Sequence, residues 1–464
     1  MLNPYIEATE LREMILKREV KLREVAEFFV ARAEKLNGKL GAFMTLTPER
    51  AFADAERLEK IPDSERRRYL MFGVPYSIKD LNWTKDIRTT MGSKNFEHFM
   101  APADDEVVVR MRSHGGILVG KTATPELGAR PTTEGGLCPP ARNPWNLERT
   151  AGGSSGGAGS ALAAGLGALA QGSDGGGSIR IPAACCGVVG LKPARGRVTA
   201  APVAGEAWAG FATTGPMART VRDVAAFMDV MAGHVEGDPY WAPDPVCSFR
   251  AAVEIAPRNL KIALLPRSAI TRGDPESEAA TEAAGKVFEA MGHHVEPVKV
   301  DPGAMLRDVC MKLIAAGVGS VPVPKPELMD PVVRELWEAG RKISASEYIL
   351  TVTQMHNTAR QVVQALGAYD AIISPTLARP AVKLGTLPSR PERYLEELPE
   401  WIPYTFPFNA TGQPGFSLPN GHNQAGLPIG LQIVGRQADE VTIIGLARQF
   451  EQARPWKDKH PPLE

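Results

Sequence analysis

The sequence has no excess of charge of either sign. Its 464 residues hold 53 Lys and Arg against 53 Asp and Glu, for a formal net charge of zero. Without a concentrated basic face there is no electrostatic footprint for a nucleic-acid partner. Cysteine is scarce as well. Cys138, Cys185, Cys186, Cys247 and Cys310 are scattered and form no Cys-x-x-Cys pair. That excludes a disulfide framework and a zinc knuckle, and predicts reduced thiols buried in a core. No stretch reaches the ~18 uninterrupted apolar residues that cross a bilayer. The acidic opening, Met1 to Met14, lacks the apolar centre of a signal peptide. The expectation is a cytoplasmic protein with no membrane partner. The eight histidines fall in no ligand spacing. His293 and His294 are adjacent, which points their rings apart on either a helix or a strand. No metal site and no cofactor are expected.

Apolar residues make up 44% of the chain and charged residues 23%, a composition that argues for a large folded core over disorder. Residues 9–60 read as helices. Leu11, Met14 and Ile15 open one apolar series, and Val25, Phe28, Phe29 and Ala33 a second, at the spacing of an amphipathic face. Thr47-Pro48-Glu49 is a helix start, with a capping hydroxyl, a proline where no N–H is needed and an acid in the first turn. The segment 1–60 is read as an N-terminal helical layer. From Phe72 the pattern changes. Residues 73–78, 117–119, 259–265, 294–298, 371–373 and 430–434 are strand-like, with helices expected at 104–113 and 275–291. Strands alternating with helices predict an α/β fold on a mixed or parallel sheet.

Residues 150–178 depart from every such pattern. Thr150 to Gly157 is a Gly/Ser loop, Ala158 to Ala170 is small and apolar all round, and Gly172 to Arg180 is a second Gly/Ser loop. A flexible linker has a similar composition. It would not flank a helix with no polar face, so the two loops read as ordered backbone at a site, where glycine lets N–H groups point at a ligand. Two motif matches compete for this chemistry. Gly115-Gly116-Ile117-Leu118-Val119-Gly120-Lys121-Thr122 fits the phosphate loop. Its variable residues are a β-type run, though, so a core strand closed by a turn is the better reading. Gly153-Ser154-Ser155-Gly156-Gly157 fits the nucleophile elbow of a Ser-His-Asp hydrolase. Asn146 to Thr150 is not apolar enough for the strand an elbow requires, and His356, His422 and His460 sit in no supporting context.

A longer match joins Lys79, at the end of Gly73-Val74-Pro75-Tyr76-Ser77-Ile78-Lys79-Asp80, to Gly152-Gly153-Ser154-Ser155-Gly156-Gly157. It runs on through Gly172-Ser173-Asp174-Gly175-Gly176-Gly177-Ser178-Ile179-Arg180, Gly190-Leu191-Lys192-Pro193 and Gly215-Pro216-Met217-Ala218-Arg219. Weaker agreement follows at Asn409 to Pro414 and Gly426 to Gln432. With these residues the sequence resembles the amidase signature family over most of the chain from about residue 70, least between about 235 and 365.

The resemblance implies a single domain, 1–464, with an α/β/α sandwich around a mixed central sheet and a variable substrate-facing region at about 300–400. It implies a hydrolase that cuts amide C–N bonds through a serine acyl-enzyme. Ser178 would be the nucleophile, Ser154 would bridge it after a cis Gly153–Ser154 peptide bond, and Lys79 would be the base. The oxyanion would lie on the N–H groups of Gly175, Gly176, Gly177 and Ser178, with Ser155, Asp174 and Arg180 in support. Asp80 beside Lys79 could oppose the loss of the lysine's proton. Gly175 stands where the family often carries a larger residue, which predicts a freer loop. Gly128, Ala129 and Arg130 fall at the acyl-pocket wall, and the first two are small, which predicts a roomy pocket. Thr132-Thr133-Glu134 and Asn143-Pro144-Trp145-Asn146 are similar to members that cut aryl-acylamides, oligoamides and carbamates. A small amide or carbamate is the expected partner, and a homodimer is left open. A glutaminase subunit of a tRNA amidotransferase is the alternative within the family. Ala194-Arg195-Gly196-Arg197-Val198-Thr199 departs from that group's usual Tyr-Gly-Arg-Val-Ser-Arg.

Overall fold

In the computed structural model, which describes residues 2–137 and 139–463, the strand candidates assemble into one sheet. The strands in chain order are β1 (Phe43–Leu46), β2 (Pro75–Lys79), β3 (Ile117–Thr122), β4 (Arg142–Asn143), β5 (Asn146–Thr150), β6 (Leu169–Asp174) and β7 (Val189–Lys192). They continue with β8 (Thr213–Ala218), β9 (Lys261–Leu264), β10 (His294–Pro297), β11 (Ala371–Pro375), β12 (Gly415–His422) and β13 (Pro428–Gly435). Eleven of them form the order β1-β3-β2-β6-β8-β7-β12-β13-β11-β9-β10. The pairs β2–β3, β2–β6, β9–β11 and β9–β10 are parallel and the others antiparallel, so the sheet is mixed as expected. β2, β3 and β11 are buried along their whole length, which is why they read as apolar runs.

Alternation along each strand divides the core in two. Tyr76, Ile78, Leu431 and Ile433 join an apolar cluster with the helices Val221–Met231 and Glu440–Ala453 on one face. Val434 and Met217 join a second cluster on the other face, with the helices Gly156–Ala163, Arg180–Cys186 and Pro302–Gly319. The result is the three-layer α/β/α arrangement, with the loops at the ends of β2 and β6 facing the second layer. Among the described residues, no helix is long and apolar enough to cross a membrane. Cys185, Cys186 and Cys310 are buried free thiols and Cys247 is half-buried, while Cys138 lies outside the described residues.

Four expectations are corrected. The helical layer of 1–60 contains helices Ala8–Leu16, Leu22–Leu40 and Pro48–Glu59, but also β1, which pairs antiparallel with β3 at the sheet edge. Four residues are too few to show a period, and the pairing comes from a strand over 70 residues away. Thr47 precedes its helix without capping it, because its hydroxyl donates to the Leu118 carbonyl at 3.0 Å. The helix expected over 158–170 stops at Ala163, and Leu169–Asp174 is a central strand whose Gly172 and Ser173 face Gly215 and Thr214 of β8. Close packing makes that strand look like a loop: a Cβ on Gly172 would sit 3.0 Å from the Ile179 and Ser155 side chains. Asn146–Thr150 is a strand after all, but in a two-stranded hairpin with Arg142–Asn143 outside the main sheet.

Candidate active site

Lys79 is the last residue of β2, with Ser77 on the face opposite Tyr76 and Ile78. It is fully buried. Its Nζ donates to Ser154 Oγ at 2.7 Å and to Ser173 Oγ at 2.9 Å. Its backbone N–H donates to Gln171 Oε1 at 3.0 Å, and Gln171 Nε2 donates onward to Asn82 Oδ1 at 2.9 Å. The strand end is thus pinned by amide side chains, which leaves the ammonium on two neutral hydroxyls. Burial lowers the Lys79 pKa to about 7, with Asp174 opposing. The opposing carboxylate is therefore Asp174 and not Asp80. Asp80 accepts from the Thr90 N–H at 2.9 Å and faces Lys121 Nζ at 3.7 Å, away from Lys79.

Ser154 follows a cis Gly153–Ser154 peptide bond, as the resemblance implied. Gly153 leaves no room for a side chain, since a Cβ would lie 2.8 Å from the Thr132 backbone. Ser155 donates its N–H to the Ser178 carbonyl at 3.1 Å and its hydroxyl to the Ser173 carbonyl at 3.3 Å, so it ties the two Gly/Ser segments together. Ser178 is half-buried and lines a cavity of about 260 Å³ with Ser154, Ser173 and Gly175. Its hydroxyl bonds to no described side chain, so the Ser154–Ser178 link is not made in this geometry. Asn82 and Asp105 supply the polar wall of the cavity, and burial pushes the Asp105 carboxyl up to about 6.

The loop 174–178 hangs on one buried ion pair. Arg180 Nη2 meets Asp174 Oδ1 at 2.9 Å, and both side chains are fully buried. Burial pushes the Asp174 carboxyl up, but Arg180 outweighs it and holds the group well below the usual carboxylate range. The same guanidinium reaches Thr405 O and Gln432 Oε1 at 2.8 Å and Asn409 Oδ1 at 2.7 Å. Thr405 Oγ1 donates to the Gly176 carbonyl at 2.7 Å. Gly177 donates its N–H to Asp174 Oδ1 at 2.7 Å, so it leaves the expected oxyanion set and Gly175, Gly176 and Ser178 remain. Gly175 does not loosen the loop either. A Cβ there would sit 2.9 Å from Cε3 of Trp208, so the missing side chain makes room for an indole packed on the loop.

The pocket wall also differs from expectation. Gly128 borders the site, since a Cβ there would lie 3.3 Å from Ser154 Oγ. Gly128 also lines the cavity of about 260 Å³, but the space it shares with Ala129 and Arg130 is only about 30 Å³, closed by Ile181, Ile314, Tyr394 and Leu398. On the side of Ala129 a small residue opens no room, because large side chains from distant helices fill it. Arg130 is engaged elsewhere, donating to Leu387 O at 3.0 Å and Glu134 O at 3.2 Å and facing Asp330 at 3.5 Å. Of the aromatics at 300–400, Tyr394 is buried with its hydroxyl on the Ala129 carbonyl, and Trp337 donates to Val321 O at 3.0 Å.

The rival motifs find no support. Lys121 lies inside the buried strand β3 and donates to Asn82 O at 2.6 Å and Thr89 Oγ1 at 2.8 Å, so no helix opens at the phosphate-loop match. His422 packs on Trp145 at 4.5 Å and His460 stacks on Tyr5 at 3.8 Å, while His356 is on the helix Ala345–Ala365. Sequence reasoning missed Ser173, Gln171, Thr405, Trp208 and the roles of Asn409 and Gln432. The last two stood in the C-terminal match, but their contacts lie more than 200 residues away in the chain.

A mixed α/β/α sheet with a buried lysine at a strand end, set on two serine hydroxyls beside a glycine-rich loop, fits an amide-cleaving hydrolase. The Amidase family model matches residues 24–444, and the chain belongs to that family. It is 37% identical over 452 residues to a putative amidase of Synechocystis sp., covering 96% of this chain and 88% of that one. It is 33% identical over 483 residues to a glutamyl-tRNA(Gln) amidotransferase chain of Chromohalobacter salexigens, covering 98% and 97%. The structure of 6-aminohexanoate cyclic dimer hydrolase complexed with substrate superposes with a TM-score of 0.92 at 31% identity, covering 100% of both chains.

Proposed function

We propose that the chain acts as one domain and hydrolyses small amides, with Ser178 as nucleophile, Ser154 as proton bridge and Lys79 as base. The observation that carries this reading is a fully buried lysine with its pKa lowered to about 7 and its Nζ 2.7 Å from Ser154 Oγ. About half of such lysines are neutral at pH 7, whereas an ordinary lysine would spend about 5 kcal/mol to lose its proton there. Neutral Lys79 takes a proton from Ser154 as Ser154 takes one from Ser178, and Ser178 Oγ attacks the carbonyl. The oxyanion lies on the N–H groups of Gly175, Gly176 and Ser178, preorganised donors that need no reorientation. The proton returns through Ser154 to the leaving nitrogen, which departs poorly as an anion. Water then cleaves the acyl-enzyme by the same relay.

The cavity of about 260 Å³ fits compact substrates. The aryl-acylamide, oligoamide and carbamate class is the reading we favour, supported by the likeness to the cyclic dimer hydrolase. A cytoplasmic location and a small-molecule partner complete the proposal. The likeness to an amidotransferase chain supports glutaminase action as a second reading. The test is a panel of p-nitroanilides, aryl carbamates, p-nitrophenyl esters and L-glutamine, assayed on wild type and Ser178→Ala. Turnover of anilides or carbamates that Ser178→Ala abolishes is the expected result. Turnover of glutamine alone would favour the second reading, and turnover surviving in Ser178→Ala would overturn the mechanism.

A further inference from the structure

A cavity larger than the one beside Ser178 lies next to it. It holds about 800 Å³ and lies between the turn 206–209 and the helices Pro302–Gly319, Pro331–Arg341 and Ala345–Ala365. Glu206, Ser320, Arg341 and Tyr348 give it a polar lining. One side chain borders this cavity, the catalytic cavity and the small space at Gly128–Arg130, and that side chain is Trp208. We infer that Trp208 is a fixed wall that limits how long an amide the enzyme accepts, and that the outer cavity is an extension of the substrate site held shut by this one indole.

The indole is clamped from both sides by glycine. A Cβ on Gly175, in the glycine loop, would lie 2.9 Å from Trp208 Cε3. A Cβ on Gly317, on the helix Pro302–Gly319, would lie 2.4 Å from Trp208 Cδ1. The benzo edge therefore rests on the catalytic loop and the pyrrole edge on the far helix, and the ring spans the gap between them. The turn that carries it is latched. Phe211 N–H donates to Trp208 O at 3.1 Å, Ala212 N–H to Ala207 O at 3.2 Å, and Arg195 Nε to Gly210 O at 2.7 Å. Arg195 Nη2 also donates to Asn409 O and Ala410 O at 2.9 Å, which fastens the turn to the core segment that holds Arg180. Trp208 and Ala209 take left-handed backbone angles, φ +56° and +54°, which non-glycine residues keep only where their surroundings enforce them. A wall this constrained does not swing.

The substrate class follows from the volumes. About 260 Å³ lies below the roughly 300–1,000 Å³ of sites for drug-sized ligands, so a short or compact amide fits and a long one meets the indole. Removing the indole joins the catalytic cavity to the outer one and brings the site into that range. The polar lining of the extension suits chains that carry hydrogen-bonding groups, such as a second amide, beyond the reacting bond.

This inference rests on the amidase reading. Its test uses two series of anilides, one lengthened at the acyl end and one at the amine end, with kcat/KM measured for wild type, Trp208→Ala, Trp208→Phe and Gly317→Ala. In Trp208→Ala the ratio of long to short substrate in at least one series rises tenfold or more over wild type, and Trp208→Phe lies between. Gly317→Ala, which presses on the indole from behind, lowers the ratio. Should Trp208→Ala fail to fold, the other two variants still move the ratio in opposite directions. Active variants with wild-type ratios in both series would overturn the wall alone. A wild type inactive on every amide would overturn the amidase reading and the wall with it.

Discussion

Removing Lys79 probes the chemistry where the structure makes its strongest statement. With a pKa near 7, about half of the enzyme holds the neutral amine at pH 7, against roughly one molecule in 3,000 for an unperturbed lysine. That difference amounts to about three orders of magnitude in the concentration of active base. The kcat/KM for an anilide should therefore rise with pH on a limb whose midpoint is near 7 and flatten about one unit higher. Lys79→Ala should erase the limb and cut anilide turnover by about 10² to 10⁴, the usual worth of a positioned acid–base group. The p-nitrophenyl ester should lose less, because p-nitrophenolate leaves without a proton. Ser173→Ala adds a finer check. Its hydroxyl accepts from Lys79 Nζ at 2.9 Å and so favours the charged form. Losing one such bond, worth about 1 kcal/mol, should move the limb to lower pH by up to about one unit. A limb that survives in Lys79→Ala, or a wild-type midpoint near 10, would refute the reasoning.

Arg180→Met should destabilise the fold by about 3–5 kcal/mol in chemical denaturation, because Asp174 would be left buried and unpaired. Lys192 offers a stability test away from the catalytic residues. Burial, helped by Arg180, lowers its pKa to about 7. Above that pH the native lysine is neutral while the unfolded one stays charged up to about 10.5, so the unfolded state binds the extra proton and stability rises with pH in this window. The unfolding free energy of wild type relative to Lys192→Met should climb by about 1.4 kcal/mol per pH unit between about 7.5 and 9.5. Parallel pH dependences in the two proteins would contradict the assignment.

Legibility tracked burial and chain distance. β2, β3, β11 and β13 were visible through the short apolar runs at 73–78, 117–119, 371–373 and 430–434, and the helix Pro275–Ala290 was expected over 275–291. β6 and β8 were not. Gln171-Gly172-Ser173 and Thr213-Thr214-Gly215 are small or polar because the catalytic loop and β7 press on them, and smallness reads as a loop. Lys79, Ser154 and Ser178 were found through motifs, each local to a few residues. Ser173 stood in the motif without a role, since nothing in a sequence shows that a strand aims its hydroxyl at a lysine 94 residues earlier. Asp174 and Arg180 were read as supporting residues, but their cage of Thr405, Asn409 and Gln432 comes from the other end of the chain. Gly175 gave the opposite impression to its role, because the indole that fills its missing side chain is over 30 residues away.

The central claim is that Ser178 carries the acyl group. Wild type treated with a fluorophosphonate and digested for peptide mass spectrometry should carry one phosphonyl adduct, on Ser178, and Ser178→Ala should carry none. An adduct on Ser155, or label retained by Ser178→Ala, would contradict the account and return the Gly/Ser loop to the nucleophile-elbow reading.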